Sequence, residues 1–238
     1  MGAQWKHAGR IANASKKGAV ITKMVKEITV AAKLGVPDPA HNARLRAAIE
    51  DARKQSVPRD TIERAIKRGA GLLEPVNYET VIYEGFAPHK VPVIVECLTE
   101  NRNRTASEVR VLFRKGQLGA SGAVAWMFDR FGIVEASHKD GSIDPEGAAI
   151  EAGAQQVEPL DAKDLPAGSV GARFLTDPTD LDTVSKYLQS NGWDITASEL
   201  GYIAKNKVEI SPEQRKEVEE FLGDIDDNDD VHRVYAAL

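Results

Sequence analysis

Two arginines stand close together in the stretch Thr99 to Lys115, TENRNRTASEVRVLFRK, which follows an apolar run typical of a buried β-strand. Thr105 is the predicted N-cap of a helix that begins there, so the arginines precede the helix in a polar loop. The free backbone N–H groups of a helix N-terminus favour an anion. We expect Arg102 and Arg104 to hold phosphate, and Asn103 to donate to a base edge or a sugar. In the alternative interpretation, both arginines pair with acidic residues of the chain at a domain contact.

The positive charge of the sequence is concentrated at its start. The whole chain has 31 Lys and Arg against 36 Asp and Glu, a net charge of -5. The segment from Met1 to Leu72 has 15 basic and 6 acidic residues, a net charge of +9, whereas the remainder has 16 and 30, a net charge of -14. This asymmetry predicts a basic part that contacts a polyanion, and it requires those cations to form one continuous exposed surface. The alternative is that the cations only keep helical surfaces soluble.

The first 18 residues lack a clear period and are predicted to form a basic arm that becomes ordered on a partner. Its cations can pair with phosphates while its tryptophan stacks on a base, unless that tryptophan folds back onto the body of the protein. The predicted nucleic-acid-binding residues of the arm, the helices and the arginine stretch are Trp5, Lys6, His7, Arg10, Lys16, Lys17, Lys23, Arg44, Arg53, Lys54, Arg59, Arg64, Lys67, Arg68, Arg102, Asn103 and Arg104.

Three helices must position most of these cations. Apolar residues at helical spacing predict a first helix over Ala19 to Leu34. The second is predicted over about Pro39 to Gln55 with Asp38 as its N-cap, and the third from Pro58 to near Gly69. Because short loops join them, we predict a small three-helix bundle.

The remainder of the chain alternates predicted strands and helices. Residues 79–130 give the order β-β-α-β, with Ala123 to Phe128 as the last strand, and residues 131–206 give β-α-β-β-α-β, the order of a ferredoxin-like unit. A helix from Pro212 and a strand over Val231 to Ala236 can complete the earlier module. The sequence thus predicts an α+β fold, with an N-terminal three-helix bundle and two ferredoxin-like α/β domains, the third inserted in the second. The predicted boundaries are 1–18 for the basic arm, 19–72 for the bundle, 79–130 plus 207–238 for the second domain, and 131–206 for the inserted domain.

Catalytic and metal chemistry have weak support in the sequence. The five histidines show no paired spacing, and the acidic turn Asp226 to Asp230 lacks the glycine and glutamate of a calcium loop, so we interpret it as a solvated cap. The loop Gly116 to Gly122, GQLGASG, lacks the ending of a phosphate-binding P-loop and is predicted to form a turn. Cys97 is predicted to be a buried core thiol, although an enzyme using Cys97 or a carboxylate pair is a third hypothesis.

These observations favour a non-enzymatic protein without cofactor, metal or small-molecule substrate. No run of about 18 apolar residues is present, so no membrane partner is expected. The lone cysteine and the lack of a secretory signal pattern predict a cytoplasmic location. No helix-turn-helix recognition helix is evident, so base-specific reading of DNA should be weak and recognition of shape or of RNA is attractive.

Several segments resemble the YebC/PmpR family, whose mitochondrial members act as translational activators of a cytochrome oxidase subunit. The segments are Lys26 to Gly35 (KEITVAAKLG), Asn42 to Ile49 (NARLRAAI), Pro58 to Gly71 (PRDTIERAIKRGAG), Tyr83 to Ala87 (YEGFA), Val93 to Thr105 (VIVECLTENRNRT), Leu118 to Phe128 (LGASGAVAWMF) and the ending DDVHRVY. The resemblance implies a helical domain and two α/β domains, the third inserted in the second. It implies a DNA-binding transcriptional regulator or, alternatively, a ribosome-associated factor that binds ribosomal or messenger RNA and relieves stalling on proline-rich stretches.

Overall fold

The computed structural model describes residues 16–74, 76–161, 165 and 168–238. The α-helices in these ranges are α1 (Lys16–Leu34), α2 (Ala43–Lys54), α3 (Arg59–Gly69), α4 (Arg102–Leu112), α5 (Pro145–Ala152), α6 (Leu181–Ser190) and α7 (Pro212–Asp226). The strands are β1 (Glu79–Phe86), β2 (Pro92–Thr99), β3 (Gln117–Leu118), β4 (Phe128–His138), β5 (Gln156–Pro159), β6 (Val170–Thr176), β7 (Asp194–Ala204) and β8 (Val231–Ala236). Short 3-10 turns occupy Pro88–Lys90, Phe113–Lys115 and Ala125–Met127.

The first three helices form the predicted bundle around a small apolar core. Ile28 of α1, Leu45 of α2 and Ala65 of α3 are among its buried side chains. Helices α1 and α3 approach closely at Gly69, where an added Cβ would lie 2.4 Å from the backbone oxygen of Thr29. Glycine is therefore required at that crossing because any side chain would push the helices apart.

Helix α2 begins later than predicted, because Asn42 caps it instead of Asp38. The Asn42 side chain accepts a hydrogen bond from Leu45 N, and its amide donates to the carbonyl oxygens of Ala31 and Val36. Asn42 thus provides a hydrogen-bond acceptor for a backbone N–H at the start of α2 and a donor for backbone carbonyls at the end of α1. Asp38 forms a local turn, in which its carboxylate accepts from the backbone N–H two residues later.

The first sheet has the antiparallel strand order β3-β1-β2-β8, with α4 and α7 against one face. Val93, Val95 and Cys97 of β2 pack there in one cluster with Phe113 and Phe221. The two phenylalanine rings meet edge to face with centroids 5.4 Å apart. The prediction that Cys97 is a buried thiol is confirmed.

The second sheet has the antiparallel order β5-β6-β4-β7, which is the strand order of a ferredoxin-like unit. Helices α5 and α6 cover one face, where Val134, Phe174, Leu188 and Trp193 are buried together. The Phe174 and Trp193 rings pack edge to face at 5.2 Å.

The chain leaves the first sheet after β3, builds the whole second sheet, and returns to the first sheet with α7 and β8. This path is the predicted insertion, and the predicted fold class is confirmed. The boundaries at residues 130 and 206 remain our proposal; the first of them falls inside β4, which begins at Phe128.

The predicted strand over Ala123 to Phe128 is wrong. A 3-10 turn precedes β4 there, because the buried carboxylate of Glu84 accepts hydrogen bonds from the backbone N–H groups of Gly122, Val124 and Ala125. Those donors are consequently not available to a neighbouring strand.

Candidate nucleic-acid interface

The outer face of α2 and α3 carries exposed basic side chains. The apolar faces of α2 and α3 are turned into the bundle core, so the polar faces of both helices lie on the outside. We call the exposed set the bundle cations: Arg53, Lys54, Arg59, Arg64 and Lys67.

The bundle cations differ in what they contact. Arg59 pairs with Glu63 at 2.8 Å, and Lys54 Nζ lies 3.4 Å from Asp51. Within the described residues, the other three, Arg53, Arg64 and Lys67, form no ion pair. These three side chains are therefore available to an external anion at no cost in internal pairing.

Other cations of the first two helices are turned towards acidic residues of the chain. Lys23 donates to the backbone oxygen of Asp226 and lies 3.5 Å from its carboxylate. Arg44 contacts Glu27 at 2.7 Å. Lys26 is only 8% exposed. The expectation that all cations before Leu72 form one continuous exposed surface is therefore wrong for these positions.

A buried carboxylate, Asp230, binds the bundle to the first sheet. Asp230 is 3% exposed. It accepts from Lys26 Nζ at 2.7 Å, from Arg104 Nη2 at 2.8 Å and from Thr105 Oγ1 at 2.7 Å. Thr99 Oγ1 lies 3.3 Å away. We call this set the Asp230 network.

The ionisation of Asp230 follows from its partners. Burial raises the pKa of its carboxyl, but the hydrogen bonds from Lys26, Arg104 and Thr105 outweigh burial and lower the pKa from 3.8 to about 2. The interpretation of the acidic turn as a solvated cap is wrong at this residue. Helix α7 also continues into the predicted turn as far as Asp226.

The arginine stretch is helical from Arg102, so the predicted loop and the Thr105 cap are wrong. Asn101 is the N-cap, accepting from Arg104 N at 3.1 Å, whereas Thr105 is fully buried in the Asp230 network. Arg104 pairs with Asp230, an acidic residue at a domain contact, as the alternative interpretation expects. Arg102 and Asn103 are exposed in the first turn of α4. Their predicted contacts with phosphate and with a base edge or sugar remain a proposal.

A second buried network joins the bundle and both sheets. Glu27 of α1 lies 2.9 Å from His232 Nε2 of β8. Arg233, next along β8, lies 2.5 Å from Glu199 of β7 and 3.7 Å from Glu96 of β2. Burial raises the pKa of Glu199, but the surrounding positive charges, Arg233 foremost and His232 among them, together outweigh burial and lower the pKa to about 2. Sequence reasoning missed these residues, because nothing in the spacing of single charges marks a partner in another domain.

Arg68 belongs to neither the bundle cations nor the cations paired with acidic residues. It is partly exposed, but its Nε is buried and has no hydrogen-bond partner within the described residues. Its positive charge acts to lower the pKa of Tyr78, which burial and the Glu100 charge together raise. Arg68 is therefore placed at the base of the bundle, beside the start of the first sheet.

The remaining predicted binding residues belong to the arm. Trp5, Lys6, His7 and Arg10 lie outside the described residues. Lys16 and Lys17 are the first two residues of α1, which starts before the predicted Ala19.

Metal, membrane and thiol chemistry have little support in the described part of the chain. It has no group of three or more His, Cys, Asp or Glu that could hold a metal ion. No helix there is both long and apolar enough to cross a membrane. Burial raises the pKa of the Cys97 thiol to about 12, which does not suit a nucleophile at neutral pH.

The helical bundle and the two-sheet body match separate domains of one family. Residues 3–72 match the domain described as TACO1/YebC protein N-terminal domain, and residues 78–238 match the TACO1/YebC second and third domain. The chain belongs to the TACO1/YebC family. The resemblance seen in the sequence segments is thereby confirmed.

Relatives in the TACO1/YebC family are similar over their whole length. A probable transcriptional regulatory protein of Pseudomonas fluorescens is 54% identical over 241 residues, covering 100% of this chain and 99% of the relative. One of Bdellovibrio bacteriovorus, with the same description, is 52% identical and covers 100% of both chains. The crystal structure of a conserved hypothetical protein from Aquifex aeolicus superposes with a TM-score of 0.78 at 40% identity, covering 99% of this chain and 95% of that one.

Proposed function

We propose that this TACO1/YebC family member is a non-enzymatic, cytoplasmic regulator of gene expression that binds nucleic acid through the outer face of α2 and α3 and through its basic arm. The observation that carries the proposal is that Arg53, Arg64 and Lys67 are exposed and form no ion pair with any residue that the structure describes. After Leu72, by contrast, acidic residues outnumber basic residues by 30 to 16. DNA is the partner we favour, because curated relatives are described as probable transcriptional regulatory proteins.

The chemistry of this face suits phosphate better than base edges. The exposed polar residues of α3 are Arg59, Asp60, Glu63, Arg64 and Lys67. Arg64 and Lys67 are three residues apart and so lie on the same side of the helix. Asp60 and Glu63 repel phosphate, which limits binding on this helix to its unpaired cations. We propose that recognition is chiefly electrostatic, with Arg102 and Asn103 as a further contact.

The proposal predicts a steep salt dependence. With about six phosphate contacts, the logarithm of the affinity for B-form DNA should fall against the logarithm of salt concentration with a slope near 5. A single strand with the same contacts should give a slope near 4, because fewer counterions are released per phosphate. Fluorescence anisotropy with labelled duplex and single strands from about 0.05 to 0.2 M salt measures both. An affinity that stays flat over this range would contradict the proposal.

The second candidate is a ribosome-associated translation factor that binds ribosomal or messenger RNA and relieves stalling on proline-rich stretches. It is favoured by the lack of Asn or Gln among the exposed side chains of α3, since these residues read adenine in the major groove. Sedimentation of cell extracts separates the candidates. Migration with ribosomes that survives DNase treatment favours translation, whereas absence from ribosomal fractions removes this candidate.

A further inference from the structure

Strand β1 has an unpaired side along most of its length. All of its residues pair with β2 on one side, but on the other side β3 pairs only with Gly85 and Phe86. Gly119, just after β3, donates to the backbone oxygen of Glu84 at 2.8 Å, and no described residue pairs with this side of β1 before Glu84. The stretch from Glu79 to Tyr83 therefore has no neighbouring strand there, and we call it the open edge.

The alternation of hydrogen bonds shows which backbone groups the open edge presents. In an antiparallel sheet, successive residues of a strand bond to opposite neighbours. Glu84 and Phe86 bond towards β3, so Thr80 and Ile82 point their N–H and C=O groups the same way, whereas Val81 bonds to β2. Thr80 and Ile82 are exposed, and neither has a backbone partner on this side among the described residues. The open edge thus presents N–H and C=O groups at the spacing of a strand.

The open edge lacks the usual protection against strand pairing. The other outer strands are short or lie against a helix: β5 ends at Pro159, β7 packs against α2, and His232 of β8 lies 2.9 Å from Glu27 of α1. Proteins commonly blunt free edges with lysine, proline or a bulge. The sequence of the open edge, ETVIY, has no lysine or proline, and it pairs with β2 in unbroken register. Its only charged residue, Glu79, stands at one end.

A second copy of the chain does not fit the open edge. Symmetric antiparallel pairing that uses all of these groups places Thr80 opposite Ile82 of the second copy. In that register, Tyr78 of the second copy falls opposite Glu84, at the position that Gly119 already fills. Pairing along so short a stretch would also bury far less than the roughly 1,200 Å² of a stable interface.

We propose that the open edge binds an extended peptide segment of another protein by strand addition. Main-chain hydrogen bonds to Thr80 and Ile82 supply the affinity. Residues directly opposite each other share a face of the sheet, so the peptide residue opposite Ile82 lies beside a side chain that is 44% exposed and should be apolar. A peptide can end before Gly119, which a second copy cannot. The site is independent of the nucleic-acid interface proposed above.

The probe is the acetylated and amidated peptide Lys-Thr-Val-Thr-Val-Thr-Lys, whose central residues match the open edge in length and whose valines face Thr80 and Ile82. Hydrogen exchange of the full chain, followed by NMR, measures each amide. In the free protein, the Thr80 and Ile82 amides should exchange fast and those of Val81 and Tyr83 slowly, because only the latter bond to β2. Saturating peptide should slow exchange at Thr80 and Ile82 by at least about tenfold.

N-methylated peptides separate strand addition from loose apolar contact. Methyl groups on both valine nitrogens remove the donors that face β1 and should abolish the protection. Methyl groups on the first two threonine nitrogens, which point away from β1, should leave it in place. This pair needs no protein variant and keeps the same side chains.

Ile82→Pro removes one donor of the open edge, and its ring stands where the peptide binds. It should weaken peptide binding at least about tenfold. Proline is tolerated at an edge position whose N–H faces solvent, and circular dichroism checks that the variant is folded. Ile82→Thr keeps the N–H and a β-branched side chain, so this matched control should lose much less.

Strand addition is refuted if both methylated peptides protect equally, if folded Ile82→Pro binds like the wild type, or if the unmodified peptide gives no protection at about 1 mM. Protection of Thr80 and Ile82 without peptide, together with sedimentation as a dimer, would assign the open edge to a second copy and overturn the proposal. None of these results bears on nucleic-acid binding, which the salt titrations test separately.

Discussion

Replacing Asp230 by alanine lowers the expected free energy of unfolding by roughly 3–5 kcal/mol, the usual effect of removing one partner from a buried ion pair. The change leaves Lys26, which is 8% exposed, without its carboxylate, and it leaves the buried hydroxyl of Thr105 without its 2.7 Å acceptor. Arg104 loses the same partner. Chemical denaturation followed by circular dichroism at pH 7 measures the loss.

Asp229→Ala is the matched control for Asp230→Ala. Asp229 precedes Asp230 in the same turn, but its side chain is exposed, and only its backbone oxygen contacts Lys26. We expect a change within about 0.5 kcal/mol, as for other surface substitutions. Equal stability of the two variants would show that the Asp230 network does not hold the bundle against the first sheet.

The Asp230 network also predicts an acid-sensitive contribution to stability. The folded pKa of Asp230, about 2, lies below its ordinary value of 3.8. Its contribution is therefore fully present above pH 3.8 and is lost as the pH falls through the interval towards 2. Asp230→Asn should remove this contribution, so the difference in unfolding free energy between wild type and variant should shrink as the pH falls through that interval. A difference that stays constant from pH 5 to pH 2 would contradict the assignment.

Much of the fold could be predicted because it is encoded locally. The helical spacing of Ile21, Met24, Val25 and Ile28 is enough to place α1, and the same residues contact the bundle core. Strand β8 was predicted over Val231 to Ala236 and has those bounds. In such segments the propensity, the apolar pattern and the flanking turn residues all agree.

The errors arise where a residue far away in sequence decides the outcome. Thr105 and Asn101 can both cap a helix, but the Thr105 hydroxyl donates a hydrogen bond to Asp230, which lies 125 residues further along the chain. The apolar run before β4 is predicted to be a strand. Its backbone N–H groups instead donate hydrogen bonds to Glu84, which lies 40 residues before Val124. No local pattern contains these partners.

The charge asymmetry needs the same correction. A count of charges before Leu72 treats the basic and acidic parts as independent, but Lys23 and Lys26 of the basic part pair with Asp226 and Asp230 of the C-terminal segment. Part of the acidic surplus thus fixes the bundle in place. The cations left exposed by this arrangement lie on the outer face of α2 and α3, where we propose that nucleic acid binds.

The triple substitution of Arg53, Arg64 and Lys67 by glutamine should weaken binding to duplex DNA roughly 100-fold at about 0.15 M salt, since each lost phosphate contact gives up its counterion release. The salt slope should fall by about 0.9 for each contact, or about 2.7 in all. These three positions are chosen because they are exposed and unpaired among the described residues, so the fold should not suffer. Anisotropy titrations over a salt series give both quantities.

A control with the same change in net charge separates a local interface from general attraction. Lys90, Lys139 and Lys216 are exposed on the two-sheet body, away from the bundle. Their joint replacement by glutamine also removes three positive charges, so a diffuse electrostatic effect would weaken binding equally in both variants. If only the bundle variant loses affinity and slope, the outer face of α2 and α3 carries the phosphate contacts. If both variants bind alike, the interface lies elsewhere, and the arm becomes the next segment to test.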